Sequence, residues 1–302
     1  MSRAFRIPLR TRFRGQEERR GLLLHGPCGW GEFSPFPEYP PKVARRWLQA
    51  AHEAISTPWP EPKRRAISVN VTVPAVSAEQ AHALVASSGC DTAKVKVAEG
   101  DDEARVEAVR DALGSSGKLR IDANGAWSVE EARAALARLG RYDLEYAEQP
   151  VASLAEMARL RRIVDVPLAA DEPVRTAAAP GSLKLAEAAD IVVLKVQPLG
   201  GVWAALEVAE QSGLPAVVSS ALETSVGISA GLALAAALHE LPYACGLATV
   251  ALLSGDVVAN PLLPHNGVIE LRRPEVSEDA LSRWEIEPAA WLKRVLAAEE
   301  AS

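Results

Sequence analysis

Asp91-Thr92-Ala93-Lys94-Val95-Lys96-Val97 is the stretch on which the reading of this chain turns. Residues two apart share one face of a strand, so Lys94 and Lys96 project together while Val95 and Val97 face the other way. Taken alone, the segment reads as a half-buried strand with a solvated basic face. The pattern around it argues otherwise.

From Ile67 onward, short apolar runs alternate with alanine-rich helical patterns, as expected of βα units with a parallel sheet. Eight runs are legible: Ser68–Val73, Thr92–Val97, Leu119–Asp122, Asp143–Glu148, Pro167–Asp171, Asp190–Val196, Ala216–Ser219 and Ala244–Ala248. Most begin about 24 residues apart, the length of a strand, two loops and a three-turn helix. Eight like units can close on themselves and abolish both edges, so the expected fold is α/β, a (β/α) barrel of the TIM type.

The chain ends have a different texture. Phe5–Leu9 and Gly21–His25 read as strands, residues 26–41 are rich in turn formers and aromatics, and Lys42–Ser56 reads as a helix with Val43, Trp47, Ala50 and Ala54 on one stripe. After Pro264-His-Asn-Gly267 come a strand, Val268–Leu271, and helical segments at Glu278–Trp284 and Pro288–Glu299. The expected division is a barrel over 66–265, with 1–65 and 266–302 together forming an α+β cap.

Composition bounds the function. With 48% hydrophobic residues and 39 acidic against 33 basic ones mixed along the chain, there is no polybasic patch for nucleic acid or an anionic membrane. No apolar segment suits a membrane span or a secretion signal, so a cytoplasmic protein is expected. Cys28, Cys90 and Cys245 are too scattered for a disulfide framework or a zinc site, and none of the five histidines pairs at helical spacing.

The chemistry lies at the strand ends, where barrels of this kind build their active sites. Lys94 and Lys96 end the second run, Asp122-Ala-Asn124 the third, Glu148-Gln-Pro150 the fourth, Asp171-Glu172 the fifth and Lys195 the sixth. Charge inside apolar strands is costly, and its recurrence in five consecutive units points to a site. Asp122, Glu148 and Asp171 are one repeat apart and should converge. Three converging carboxylates need a cation, and with no soft ligand nearby the expected one is Mg²⁺, with Mn²⁺ as a substitute. Lys94 and Lys96 approach from one side and Lys195 from the other. Burial, mutual repulsion and the cation would all push a lysine towards accepting a proton. Such a site suits removal of a proton α to a carboxylate, so a small-molecule carboxylate is the expected partner.

These residues together, Lys94-x-Lys96, Asp122-x-Asn124, Glu148-Gln-Pro150, Asp171-Glu172 and Lys195, resemble the enolase superfamily, in its muconate-lactonising-enzyme subgroup. The resemblance covers nearly the whole chain and implies a modified (β/α)7β barrel capped by both chain ends. It further implies Asp122, Glu148 and Asp171 as metal ligands, Lys96 as principal acid/base, Lys94 as its neighbour and Lys195 as the opposing lysine. Sites of that superfamily pair a Lys or His base with Mg²⁺, in keeping with the ion and the lysines expected here.

The rim narrows the reaction. Gly246 and Ala248 stand where dipeptide epimerases of the family carry an Asp-x-Asp for the substrate's amino group, which disfavours an ammonium-bearing substrate. Ser219–Gly227 offers hydroxyls, Ser219 and Ser220 among them, and backbone N–H groups suited to a second carboxylate. Trp30–Phe36 resembles the family's mobile specificity loop, so Phe33 and Ser34, with Asn124, are expected at the substrate. Taken together, these features are most similar to a dehydratase of the subgroup, and that resemblance implies dehydration of a cyclic dicarboxylate. Racemisation of an N-acylamino acid is the alternative in the same class, and a catalytically silent ligand-binding barrel the alternative outside it.

Overall fold

The computed structural model describes residues 2–301. An antiparallel meander, β1 (Ser2–Phe13), β2 (Gln16–Gly26) and β3 (Gly29–Phe33), opens the chain and is followed by helix α1 (Pro41–Ser56). Then come β4 (Ala66–Ser68), β5 (Val71–Val73), α2 (Ala78–Ser88), β6 (Thr92–Lys96), α3 (Asp102–Leu113), β7 (Lys118–Asp122), α4 (Val129–Leu139), β8 (Leu144–Glu148) and α5 (Leu154–Arg161). The alternation continues through β9 (Leu168–Ala170), α6 (Glu172–Thr176), β10 (Ile191–Leu194), α7 (Val196–Leu199), α8 (Val202–Ser212), β11 (Ala216–Val218) and α9 (Ser225–Ala237). The C-terminal segment adds β12 (Val268–Glu270), α10 (Glu278–Leu281), β13 (Glu285–Ile286) and α11 (Ala289–Glu300).

Strands β5 to β11 form one parallel sheet in chain order, each paired with the next. The crossover helices start where the sequence marks them. Ser77 with Gln80, Ser128 with Glu131 and Ser153 with Glu156 each make a reciprocal capping box at the start of α2, α4 and α5. Two expected strands differ. The run Ser68–Val73 is split, because Ala66–Ser68 pairs antiparallel with β12 while Val71–Val73 joins the barrel. The eighth run makes no ladder among the described residues; it closes the barrel through single parallel bridges, Val69 to Cys245 and Ser219 to Gly246.

Both chain ends build the cap. β13 pairs with β1 through Ala4 and Ile286, and the order across that sheet is β13-β1-β2-β3. Trp291 and Ala298 of α11 share a core with Phe33, Phe36 and Trp47, and the same core takes in Ala221 and Leu222 from the barrel rim. The stripe on α1 is buried at Ala44, Trp47, Leu48, Ala50, Ala51 and Ala54, while Val43 is only half-buried. Cap and barrel are therefore packed as one body at this seam.

Helix α9 is apolar on every side and buried along its full length, as such a composition demands. Two buried carboxylates satisfy amide groups at its N-terminus. Glu32, from the cap, accepts from the N–H groups of Thr224 and Gly227 at 3.1 and 3.2 Å, and Asp256 accepts from Ser225 N–H. Burial, reinforced by Glu223, pushes the Glu32 carboxyl up to about 7. A group whose folded pKa is raised stabilises fully below its unfolded value and loses that contribution as pH rises through the folded one. We expect stability from Glu32 to fall between its ordinary value of 4.5 and its folded value of about 7, by up to about 1.4 kcal/mol per pH unit. Urea unfolding of Glu32→Gln across that range should show a flatter pH dependence than the parent; an unchanged slope would contradict the assignment.

Candidate active site

Parallel register assembles the charged strand ends. Lys96 lies beside Asp122, and Asp122 beside Glu148, in adjoining ladders, so both lysines of the opening stretch point into the barrel mouth. Asp171 follows β9, and Lys195 follows β10. Asp122, Glu148, Asp171, Lys94 and Lys195 are all buried, and Lys96 is half-buried.

The lysines are held by the carboxylates. Lys94 Nζ donates to Glu148 Oε2 at 2.6 Å and lies 3.1 Å from Asp122 Oδ2. Lys96 Nζ reaches Asp122 Oδ2 at 2.6 Å and Asn124 Oδ1 at 2.5 Å, and the Lys195 ammonium reaches Asp171 Oδ2 at 2.6 Å. Asn124 is oriented on its other side by Glu172 Oε1, 3.0 Å from its Nδ2. Arg175 Nε lies 3.2 Å from Asp171, and its Nη2 lies 2.5 Å from Glu172.

Environment separates these groups electrically. Burial opposes the charged form of Lys94, but Glu148 and Asp122 outweigh it and hold its pKa well above the ordinary lysine value. Lys96 goes the other way, lowered chiefly by burial, with Lys94 adding repulsion. Burial would raise Asp122 and Asp171, yet the adjacent lysines hold both below the usual carboxylate range. Glu148 is pushed up to about 6, by burial first and then by Asp122. Two neighbouring lysines thus end in opposite conditions, Lys94 locked as a cation and Lys96 eased towards the free base.

The carboxylates fit a hard cation. All donors are oxygens, and Glu148 Oε1 is buried with no hydrogen-bond partner among the described residues, a free ligand position in a charged site. Among the described residues, however, no three Asp, Glu, His or Cys groups stand close enough to enclose an ion. Lys94 links Asp122 and Glu148, and Lys195 pairs with Asp171 alone.

The chamber above these groups is lined by Phe13, Phe36, Thr72, Leu222 and Thr249 together with the charged residues. Ser219 and Ser220 line it as expected, and Ser220 Oγ shares a hydrogen bond with Thr249 Oγ1 at 2.6 Å. Their backbone is less available than the sequence suggests. The N–H groups of Ser219, Ser220, Ala221 and Leu222 donate to Leu194 O, Gly246 O, Glu223 Oε2 and Ser220 Oγ, so an anion would meet hydroxyls there. Phe33 is buried against Trp291 and Ser34 lies in a buried network with Glu32 and Gln197; neither lines the chamber.

Phe13 and Arg14, at the β1–β2 turn, take the place expected of that loop. Lys96 Nζ sits 5.3 Å from the Phe13 ring centroid. By sequence this arginine-rich segment reads as charged outer strands, and nothing local in it signals that the turn reaches the barrel mouth. The chamber holds about 30 Å³, room for about two waters. Across Phe13, Arg14, Lys96 and Asn124 lies a cleft of about 620 Å³, the size of a ligand site. The turn therefore partitions the mouth.

Comparison with known proteins places the architecture. Residues 76–275 match the family described as enolase C-terminal domain-like, and residues 4–55 the enolase N-terminal domain-like family. The o-succinylbenzoate synthase of Thermobifida fusca is 60% identical, covering 99% of this chain and 96% of that one. That of Mycolicibacterium smegmatis is 48% identical, over 96% and 92%. Among solved structures, the muconate lactonizing enzyme from Pseudomonas fluorescens superposes with a TM-score of 0.81 at 19% identity, covering 94% and 98%. The L-Ala-D/L-Glu epimerase from Bacillus subtilis gives 0.78 at 22%, over 91% and 96%.

The unpartnered Glu148 oxygen generates a direct expectation. Adding Mg²⁺ should raise the melting temperature of the parent protein, as any ligand selective for the folded state does. Glu148→Gln should lose most of that rise; an equal Mg²⁺-dependent shift in the two proteins, measured by differential scanning calorimetry, would remove Glu148 from the ion site.

Proposed function

The chain belongs to the enolase superfamily, and we propose from that premise that its lysines and carboxylates carry out the reaction of an o-succinylbenzoate synthase. It is a carbon–oxygen hydro-lyase, converting 2-succinyl-6-hydroxy-2,4-cyclohexadiene-1-carboxylate to o-succinylbenzoate and water, a step of menaquinone biosynthesis. The observation that most supports the roles below is that Lys96 and Lys195 line one chamber, each tethered to a carboxylate from a different strand.

In this reading Asp122, Glu148 and Asp171 hold a divalent ion, taken to be Mg²⁺ with Mn²⁺ as a substitute. Bound there, it supplies Lewis-acid stabilisation of negative charge on the substrate carboxylate. Lys96, eased towards its neutral form, removes the proton α to the ring carboxylate. The same ammonium then returns that proton to the departing hydroxyl on the same face, so the pair leaves as water and the ring becomes aromatic. Asn124, fixed by Glu172, keeps the Lys96 amine aimed between rounds. Lys195, hydrogen-bonded to Asp171 at 2.6 Å, stabilises the charge that develops on the substrate. Lys94 stays protonated and balances Glu148 and Asp122.

The rim supports a substrate without an amino group. A side chain at Gly246 would begin 2.5 Å from Ser219 Oγ, so an acidic residue there would require the Ser219 hydroxyl to move. The three cysteines are free thiols, consistent with the cytoplasmic placement proposed here, and among the described residues no helix is long and apolar enough to cross a membrane.

Because Lys96 and Lys195 flank the same space, exchange of a proton between opposite faces of an N-acylamino acid is the competing chemistry. Lys96→Ala should lower kcat for dehydration by about 10²-fold or more, with the circular dichroism spectrum intact, and chelation of divalent ions should abolish the parent's activity until Mg²⁺ is restored. A parent enzyme that racemises N-succinylamino acids but does not dehydrate the cyclohexadiene would reverse the choice.

A further inference from the structure

Arg19 lies outside the machinery above, yet it is among the most deeply buried side chains in the molecule. It has no ion-pair partner among the described residues. Burial pulls its pKa down to about 10, while the buried Glu32 and Glu223 nearby oppose that shift. Its donors go mainly to backbone instead. Nε donates to Leu222 O at 2.9 Å, and Nη2 donates to Ala221 O at 3.2 Å, to Ser34 O and to Ser34 Oγ. The face of the guanidinium lies 4.4 Å from the Phe36 ring centroid.

Three of the groups held in this way, Phe36, Ala221 and Leu222, line the chamber. Leu222 has φ +66°, a conformation that a branched L residue keeps only when its surroundings impose it. Glu223 contributes from within the turn by accepting from Ala221 N at 2.6 Å. Arg19 reaches the turn from the cap with two nitrogens, and its planar fork holds two successive carbonyls in a fixed geometry that a single ammonium nitrogen does not impose.

We infer that Arg19 is a positioning residue for substrate recognition: from the cap sheet it fixes the Ala221–Leu222 turn and the Phe36 ring as one wall of the chamber. The inference takes its substrate from the dehydratase reading, whereas its geometry stands without that reading. Removing Arg19 should therefore loosen substrate and product alike while leaving the lysines to work on whatever binds.

The test is steady-state kinetics of the parent, Arg19→Gln and Arg19→Lys with Mg²⁺, together with inhibition by the product o-succinylbenzoate. For Arg19→Gln, KM and the product inhibition constant should rise together by about tenfold, with kcat changing less than about threefold. Arg19→Lys should recover part of the loss. Unchanged KM and inhibition constant in folded Arg19→Gln, or a loss confined to kcat in proportion to the unfolded fraction, would overturn the proposal. If the glutamine variant does not fold, the lysine variant carries the same comparison. A parent enzyme with no dehydratase activity would sink the functional reading instead, and a crystal structure of either variant then decides: a displaced Ala221–Leu222 turn supports the role of Arg19, and an unmoved one refutes it.

Discussion

A buried charge needs an opposite charge or a full set of hydrogen bonds, and in the barrel mouth ammonium faces carboxylate. Lys94 answers Glu148 and Asp122, Lys96 answers Asp122, and Lys195 answers Asp171. The partners in each pair come from different strands or strand ends, so no pair survives a slip of register. A shift of one residue on β7 would turn Asp122 away from the mouth and strand the lysines in a dry interior. Of the site's own buried side-chain atoms among the described residues, Glu148 Oε1 and Glu172 Oε2 are left without a hydrogen-bond partner. The site is thus nearly self-neutralised by its own side chains, and an incoming cation competes with lysines for the carboxylates.

Strain gathers at the same end of the barrel. Ala98 follows β6, Asn124 follows β7, Gln149 follows β8 and Leu222 follows β11, and all four have positive φ without being glycine. Each sits where the chain leaves a strand and must turn sharply over the mouth. Gln149 shows how one such bend is secured, since its Oε1 accepts from Asp171 N and its Nε2 donates to Val151 O. Conformations of this kind cost on the order of 1–3 kcal/mol each and persist when neighbours over-determine them.

What the sequence reveals and what it hides divide along a physical line. Lys94, Lys96, Asp122, Glu148, Asp171 and Lys195 are legible because strand period and repeat length place them without knowledge of distant contacts. Phe13 and Arg14 are not, because their role depends on how a hairpin leans over a barrel built much further along the chain. The Ser219–Leu222 segment is legible as rim but not as a set of occupied amides, since the groups that take up those amides include Leu194, Gly246 and Glu223. Ala244–Ala248 has the composition of a strand, but it joins its neighbours through the single bridges Val69–Cys245 and Ser219–Gly246. Composition reports propensity, and long-range packing decides pairing.

The pairing of the two chain ends also sets an order of events. Arg3 Nη2 meets Glu285 Oε2 at 2.7 Å across a separation of 282 residues, in the sheet that joins β1 to β13. On the ribosome, β1 emerges well before β13, and that edge stays uncovered until β13 is made. Contacts so distant in sequence form late and slowly. The barrel is therefore complete as a chain before the cap that walls its mouth can be, and the pocket acquires its final shape only as synthesis reaches α11.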